Sequence, residues 1–309
     1  MSAPPPPVDD VQDAVAAPST PKKALSRAPG ERLGGKLVAR GVLLFVCLIW
    51  TIPTVGLLLS SVRRREDILG SGWWTALLNP AEITGWTIEH YVTVLEGGMG
   101  AAFVNSLTVA VPATVIPILA AAFAAYAFAW MNFPGREVLF VMVVGLLVVP
   151  IQVAFIPLLR LYGNFGITGN FLAVWLAHTG FGMPLAIYLL RNYMGSMPRE
   201  IFESAKVDGA SHFQTFWRLM VPLSVPALAA FAIFQFLWVW NDLLVALVFL
   251  GGGRTEVVTL NLTQLIGSRA QDWHLLTAGA FITMTVPLFV FFSLQRFFIR
   301  GLTAGSVKG

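Results

Sequence analysis

The chain has 309 residues, of which 56% are hydrophobic and 12% charged, with a formal net charge of +4; its mean hydropathy is +0.74. The charged share is about half that of a soluble domain, so the composition excludes one and predicts an integral membrane protein. A single cysteine, Cys47, inside an apolar run excludes a disulfide framework and a thiol metal cluster, and the surplus of positive charge, gathered mostly on one side of the predicted membrane, does not mark a nucleic-acid binder.

Taken in order, residues 1–40 are rich in Pro, Ala and charge, with a polyproline run at Pro4–Pro7. Such a segment cannot bury enough apolar surface to fold alone and is expected to be a disordered cytoplasmic tail. It is too long, and its apolar region comes too late, for a signal peptide. The first span is predicted at 41–60, long enough to cross about 30 Å of hydrocarbon. An outer segment follows over 62–102, where Trp73, Trp74, Trp86 and Tyr91 suit the membrane interface. The second span is predicted at 103–129, and 131–136 is a tight turn. The third, 138–161, contains Pro150 and Pro157; the fourth, 171–190, is expected to break near Gly180, Gly182 and Pro184. The fifth span is placed at 223–250, an outer loop at 251–273 and the sixth span at 275–298.

Six spans put both termini on one side. That side carries 14 of the 20 Lys and Arg residues, and the other carries 6. The bias places the termini in the cytoplasm. Arg63, Arg64 and Arg65 run against it, although Glu66 and Asp67 follow at once.

Between spans four and five lies a polar stretch, Pro198–Pro226, with Glu200, Glu203, Lys206, Asp208 and Arg218. Pro198 suits a first helical position. Glu200 then lies in the first turn, near the positive end of the dipole. Gly209 is a natural C-terminal stop because it accepts a left-handed backbone. The result is a helix of roughly eleven residues, about 16 Å long. Ser211 and Gln214 have capping-box spacing, so a second helix begins at once. Phe213, Phe216, Trp217 and Met220 give that helix an apolar face, and Pro222 and Pro226 bend it toward the membrane. A helix–Gly–helix elbow on the cytoplasmic surface is expected, shaped to touch a soluble partner.

The triplets Glu203-Ser204-Ala205, Asp208-Gly209-Ala210 and Val221-Pro222-Leu223 resemble, without a gap, the EAA loop of binding-protein-dependent ABC importer permeases. Ser204 stands for the usual first alanine, and Leu219 and Val221 for an isoleucine and a leucine. The tail from Gln295 to Gly309, with Gly301, Gly305 and Gly309, resembles the C-terminus of the maltose-type sugar permeases, as does Trp240-Asn241-Asp242. The similarity runs from about Gly41 to Gly309. It implies an all-α permease domain over 41–309, with its coupling loop at 197–222 and a docking tail at 296–309. It further implies a second permease, two ATPase subunits that bind ATP-Mg, an extracytoplasmic sugar-binding protein, and a carbohydrate cargo crossing the cytoplasmic membrane. By position, Glu203, Ala205, Asp208, Gly209 and Phe213 would contact the ATPase, and Thr303, Gly305 and Lys308 would dock the tail.

Polar groups at membrane depth are costly facing lipid, so they are candidates for the transport path. These are Asn105, Gln152, His178, Thr179, Gln235, Asn241 and Asp242, with Trp238 and Trp240 able to stack on a sugar face. For each, the competing reading is a hydrogen bond that holds the bundle together. The sequence has no phosphate loop and no H-E-x-x-H or G-x-S-x-G motif, and its four histidines are scattered, so neither catalysis nor a resident metal or cofactor is expected. An ion-coupled secondary transporter is the rival from another class. It would want ionisable residues near the midplane of the spans and an internal repeat, and neither is evident. A permease for a peptide or polyamine is the alternative within the ABC class.

Overall fold

The computed structural model describes residues 29–79, 85–266 and 272–304, and the side chains of these except 29–33 and 296–304. Gly305 and Lys308 of the expected docking tail lie outside the described residues. Thr303 falls in the last turns of the final helix. Two units divide at Pro53. In the first, α1 (Pro29–Val62) starts twelve residues before the expected span, at Pro29 rather than Gly41, so residues 29–40 of the expected tail are helical. Glu31, Arg32, Leu33, Lys36, Leu37 and Ala39 are good helix formers and let the turn propagate outward. The described side chains of α1 before Thr54 are all exposed, as a lipid-facing helix would be.

From Thr54 onward the chain forms the second unit, and its core is a set of long helices. These are α5 (Gly100–Trp130), α8 (Phe171–Gly195), α11 (Val221–Trp240) and α14 (Trp273–Ala304). Five helices among the described residues are long and apolar enough to cross a membrane, or six spans if one bent pair counts as one. That pair is the third span: 136–148 and 151–164 meet at 98°. Pro150 causes the break. It has no N–H to donate and pushes Val149 out of the helical region, to ψ 121°. α6 (Arg136–Gly145) and α7 (Phe155–Asn164) are therefore separate helices rather than one straight span.

Two further expectations are corrected. The fourth span is not broken near Gly180, Gly182 and Pro184; α8 is continuous from Phe171 to Gly195. Gly182 serves close approach rather than bending. A Cβ built there would sit 2.7 Å from Gln235 Oε1 on α11, whereas one on Gly180 meets nothing within 4 Å. The fifth span ends at Trp240, not Leu250, because the helix stops at Asn241 and restarts as the short α12 (Leu244–Phe249). The outer loop after it contains another helix, α13 (Val258–Leu265), packed on α5 and α14.

The outer segment after α1 is organised by Arg63. Its guanidinium, 8% exposed, donates to Gly72 O (3.0 Å), Asp67 O (3.0 Å) and Ser71 Oγ (2.6 Å). Its own carbonyl lies 2.9 Å from His90 Nε2 on α4 (Glu89–Val94). Ser61 and Tyr91 meet through their hydroxyls at 2.6 Å. Arg63 thus holds together the start of the outer segment, including α2 (Arg65–Gly70) and α3 (Thr75–Leu78).

The Gly182–Gln235 contact gives a test of the core. Gly182→Ala should force the buried Gln235 amide from its place and cost about 1–3 kcal/mol, while Gly180→Ala should be neutral. Thermal inactivation of the two variants in detergent, followed by gel filtration, measures the difference; equal midpoints would show that α8 and α11 do not pack through Gly182.

Candidate functional site

The elbow is built as two helices joined by a left-handed glycine. α9 runs Arg199–Val207, shorter than expected because Pro198 is the N-cap residue (ψ 132°) rather than the first helical residue. Gly209 has φ 78°. Its N–H donates to Lys206 O at 3.1 Å, and the Ala210 N–H donates to Ala205 O at 2.9 Å. This is the paired bonding of a Schellman stop, which satisfies carbonyls the helix end would otherwise leave bare. Ser211 then caps α10 (His212–Thr215). Gln214 N–H donates to Ser211 Oγ (3.3 Å), and Ser211 N–H to Gln214 Oε1 (2.9 Å), a reciprocal capping box. A π turn at Phe216–Met220 follows, with Val221 N–H reaching back to Phe216 O. It leads into α11 at Pro222, the second residue of that helix and one with no N–H to give.

Aromatic side chains brace the elbow against the bundle. Phe202 is buried under Trp130 of α5, ring centroids 3.9 Å apart, and Trp130 Nε1 donates to Met194 O of α8 at 3.0 Å. Tyr126 Oη and His212 Nδ1 are 3.0 Å apart. Phe216 stacks on Phe123 with centroids 4.4 Å apart. None of Trp130, Tyr126 or Phe123 was singled out by the sequence. Their spacing on α5, one face at helical period, was the available signal.

Of the five coupling candidates, Glu203, Asp208, Gly209 and Phe213 are exposed, and Phe213 is 68% exposed. Ala205 turns inward and is buried. Of the apolar residues expected on one face of the second helix, Phe216 and Met220 are buried, while Phe213 and Trp217 stay largely open. The elbow therefore presents an outer surface of Asp208, Phe213 and Val207 that nothing among the described residues covers, Val207 being 87% exposed.

The path candidates fall into two kinds. Gln235 is buried and donates through Nε2 to Ala113 O at 3.2 Å and His178 O at 3.5 Å, so it ties α11 to α5 and α8. Trp240 is buried too; its Nε1 donates to Thr283 O on α14 (3.1 Å) and its ring stacks on Phe236. Asn105 donates to Arg254 O and Glu256 O, fastening α5 to the outer loop. These side chains are occupied in holding helices together. Gln152, in the turn that follows Pro150, and Asn241, whose Nδ2 donates to Leu237 O (2.7 Å), are exposed.

Asp242 is the pivot of the helix break. Its Oδ2 accepts from the Val245 and Ala246 amides at 2.9 and 3.2 Å and lies 3.8 Å from His178 Nε2 on α8. Its backbone carbonyl accepts from Thr259 Oγ1 at 2.8 Å. His178 Nδ1 and Thr179 Oγ1 are buried without a hydrogen-bond partner, and the Trp238 ring meets His178 edge-on at 5.2 Å. Among the described residues no group of three or more His, Cys, Asp or Glu could hold a metal ion.

A bundle of spanning helices with an exposed, rigid elbow is the build of a membrane transport subunit, not of an enzyme. Residues 113–304 match the family described as binding-protein-dependent transport system inner membrane component. The osmoprotective compounds uptake permease protein GgtD of Synechocystis sp. is 61% identical, over 88% of this chain and 92% of that protein. The alpha-glucoside transport system permease protein AglG of Rhizobium meliloti is 46% identical, over 86% and 95%. A bacterial ABC transporter involved in the import of the acidic polysaccharide alginate contains a chain of the same fold, with a TM-score of 0.69 at 19% identity, covering 87% of this chain and 98% of that one. The chain belongs to the binding-protein-dependent ABC permease family, and is a multi-pass protein of the cytoplasmic membrane.

The aromatic brace has a direct test. Trp130→Ala removes both the Phe202 stack and the bond to Met194, and α9 should loosen. Trypsin should then cut at Arg199 and Lys206 several-fold faster in the assembled protein than in wild type. Cleavage at the wild-type rate would mean that α9 is held by something other than Trp130.

Proposed function

We propose that this chain is one of two permeases, forming a heterodimer, in an ATP-driven importer of small neutral glycosides delivered by an extracytoplasmic binding protein. The observation that carries the reading is the elbow. α9 is stopped by left-handed Gly209 and braced from behind by Trp130, α10 is held by Tyr126 through His212, and the elbow is open along Glu203, Asp208 and Phe213. A rigid element of this kind transmits a push instead of absorbing it. Closure of two ATPase subunits beneath it would move α11 and α8 as bodies, a hinge or shear transition. Glu203 acts as a charge-assisted hydrogen-bond partner for the ATPase, and the tail from Thr303 lies between the two ATPases. The cargo assignment rests on the alpha-glucoside permease at 46% identity and on relatives named for arabinooligosaccharides. The relative at 61% identity is named for osmoprotective compounds, which favours a second reading of the cargo as a compatible solute. An uncharged glycoside satisfies both. Gln152 and Asn241 line the path in this reading, and Asp242, held by the α12 amides, sets the angle of the break beside it.

Orientation follows from the charges, with both termini and the elbow in the cytoplasm. Replacing Cys47 and placing a single cysteine at Ser211 tests this. An impermeant maleimide should label it only after the cells are opened; labelling in intact cells would reverse the topology.

Coupling is tested in vesicles holding the permeases, the ATPases and the binding protein. Uptake of labelled α-glucoside and stimulated ATP hydrolysis are read together. A Cβ at Gly209 meets nothing within 4 Å, so Gly209→Val strains the backbone only, by about 1–2 kcal/mol. The complex should assemble but lose uptake, with hydrolysis lowered or uncoupled. Glu203→Ala and truncation before Thr303 should act in the same direction. Wild-type uptake and hydrolysis in Gly209→Val would reduce the elbow to a connector. ATP-independent uptake that follows an ion gradient would establish a secondary transporter.

A further inference from the structure

Behind the elbow, between α9 and the ends of α5 and α8, lies a cleft of about 880 Å³. Its lining is unbalanced in charge: Arg136, Arg191, Arg199 and Lys206 face a single carboxylate, Glu203. The four cations come from α6, α8 and the two ends of α9. Arg136 is held by Glu137 at 2.9 Å and by Met131 O at 3.1 Å, which aims it rather than leaving it free. Arg191 lies over the Phe140 ring, 4.6 Å from its centroid. Arg199 and Lys206 make no ion pair among the described residues. Like charges gathered in one recess repel each other, and the repulsion favours a counter-anion.

The surroundings say which anion. The cleft is much larger than a lone phosphate needs. Trp130 and Phe202 form part of its wall. Basic recesses between helices on the cytoplasmic side are where anionic lipid headgroups bind. We propose that this cleft holds the phosphate headgroup of an anionic membrane lipid, with Arg136, Arg191, Arg199 and Lys206 as its ligands. α9 supplies two of the four cations, so the headgroup ties the elbow to the bundle and makes the elbow's position depend on lipid composition. Glu203, the proposed ATPase contact, also lines the cleft, so the site borders the coupling surface; it stands whatever the cargo is.

The test uses the assembled complex, purified with its partner subunits and placed in zwitterionic nanodiscs. Phosphatidylglycerol or cardiolipin is titrated in, and bound lipid is counted by native mass spectrometry. Each Arg→Gln change in the cleft should weaken the anionic lipid about fivefold, so Arg136→Gln with Arg191→Gln should lose the bound lipid. Arg160→Gln, on α7 and away from the cleft, should keep it. Where the double variant does not assemble, Lys206→Gln alone carries the same titration. Unchanged lipid retention in the cleft variants overturns the proposal. Displacement by excess inorganic phosphate assigns the cleft to a soluble anion and overturns the lipid as its occupant. Loss of a co-purifying subunit with lipid retention unchanged gives the cleft to a protein partner, and overturns it as well.

Discussion

The structure depends on how closely α5, α8 and α11 can approach. In a bilayer, lipid tails are as apolar as Leu, so helices gain little by burying apolar surface and must find association in close packing and hydrogen bonds. Gly182 supplies the first and Gln235 the second. With no Cβ at position 182, the Gln235 amide fits against α8 and reaches carbonyls on two helices, Ala113 O and His178 O. α5 adds small residues along the same seam, with Ala113, Ala121 and Ala125 fully buried. The elbow, the helix break at Asp242 and the outer loop are all mounted on these three helices.

The same economy explains why the breaks fall where they do. A backbone group freed inside a membrane protein needs a partner within the protein. At the end of α11 the amides of Val245 and Ala246 take the Asp242 carboxylate, and the Asp242 carbonyl takes Thr259 Oγ1. Further along, the Val258 amide takes Ser106 Oγ at 2.9 Å. At the elbow, Gly209 and Ala210 return their amides to the carbonyls of α9. Each interruption is closed locally, so it can be rigid without weakening its neighbours. Rigidity is what the proposed coupling role of the elbow requires, since a soft elbow would take up the motion it should pass on.

Charge is distributed to match. In the segment after α1, Arg63 is consumed by the carbonyls of its own segment. Behind the elbow, four cations gather around one lining carboxylate, Glu203, with Arg136 also paired to Glu137. The first pattern is that of a structural residue and the second that of a surface awaiting something anionic. A count of Lys and Arg along the sequence treats the two alike and cannot tell buried Arg63 from its exposed neighbours Arg64 and Arg65.

Much was legible in the order of residues alone. Spanning helices follow from long apolar runs, since bilayer thickness sets a length any reader can count. The stop at Gly209 and the cap at Ser211 follow because turn and cap chemistry acts over three or four residues and needs no distant partner. The break at Pro150 was not legible: the sequence placed that proline inside one span, and the 98° bend appears only in the structure. What only the tertiary structure decided is the job of each buried polar or small residue. Gly182 in sequence resembles a hinge, and in space it is a seat for Gln235. Trp240 in sequence resembles a sugar platform, and in space its N–H is bound to Thr283 O. Ala205 belongs to a motif that reads as a contact surface, yet it turns inward. The reason is physical: a polar group or a glycine at membrane depth is compatible with lining a path or with joining two helices, and only the neighbour brought alongside by packing distinguishes them.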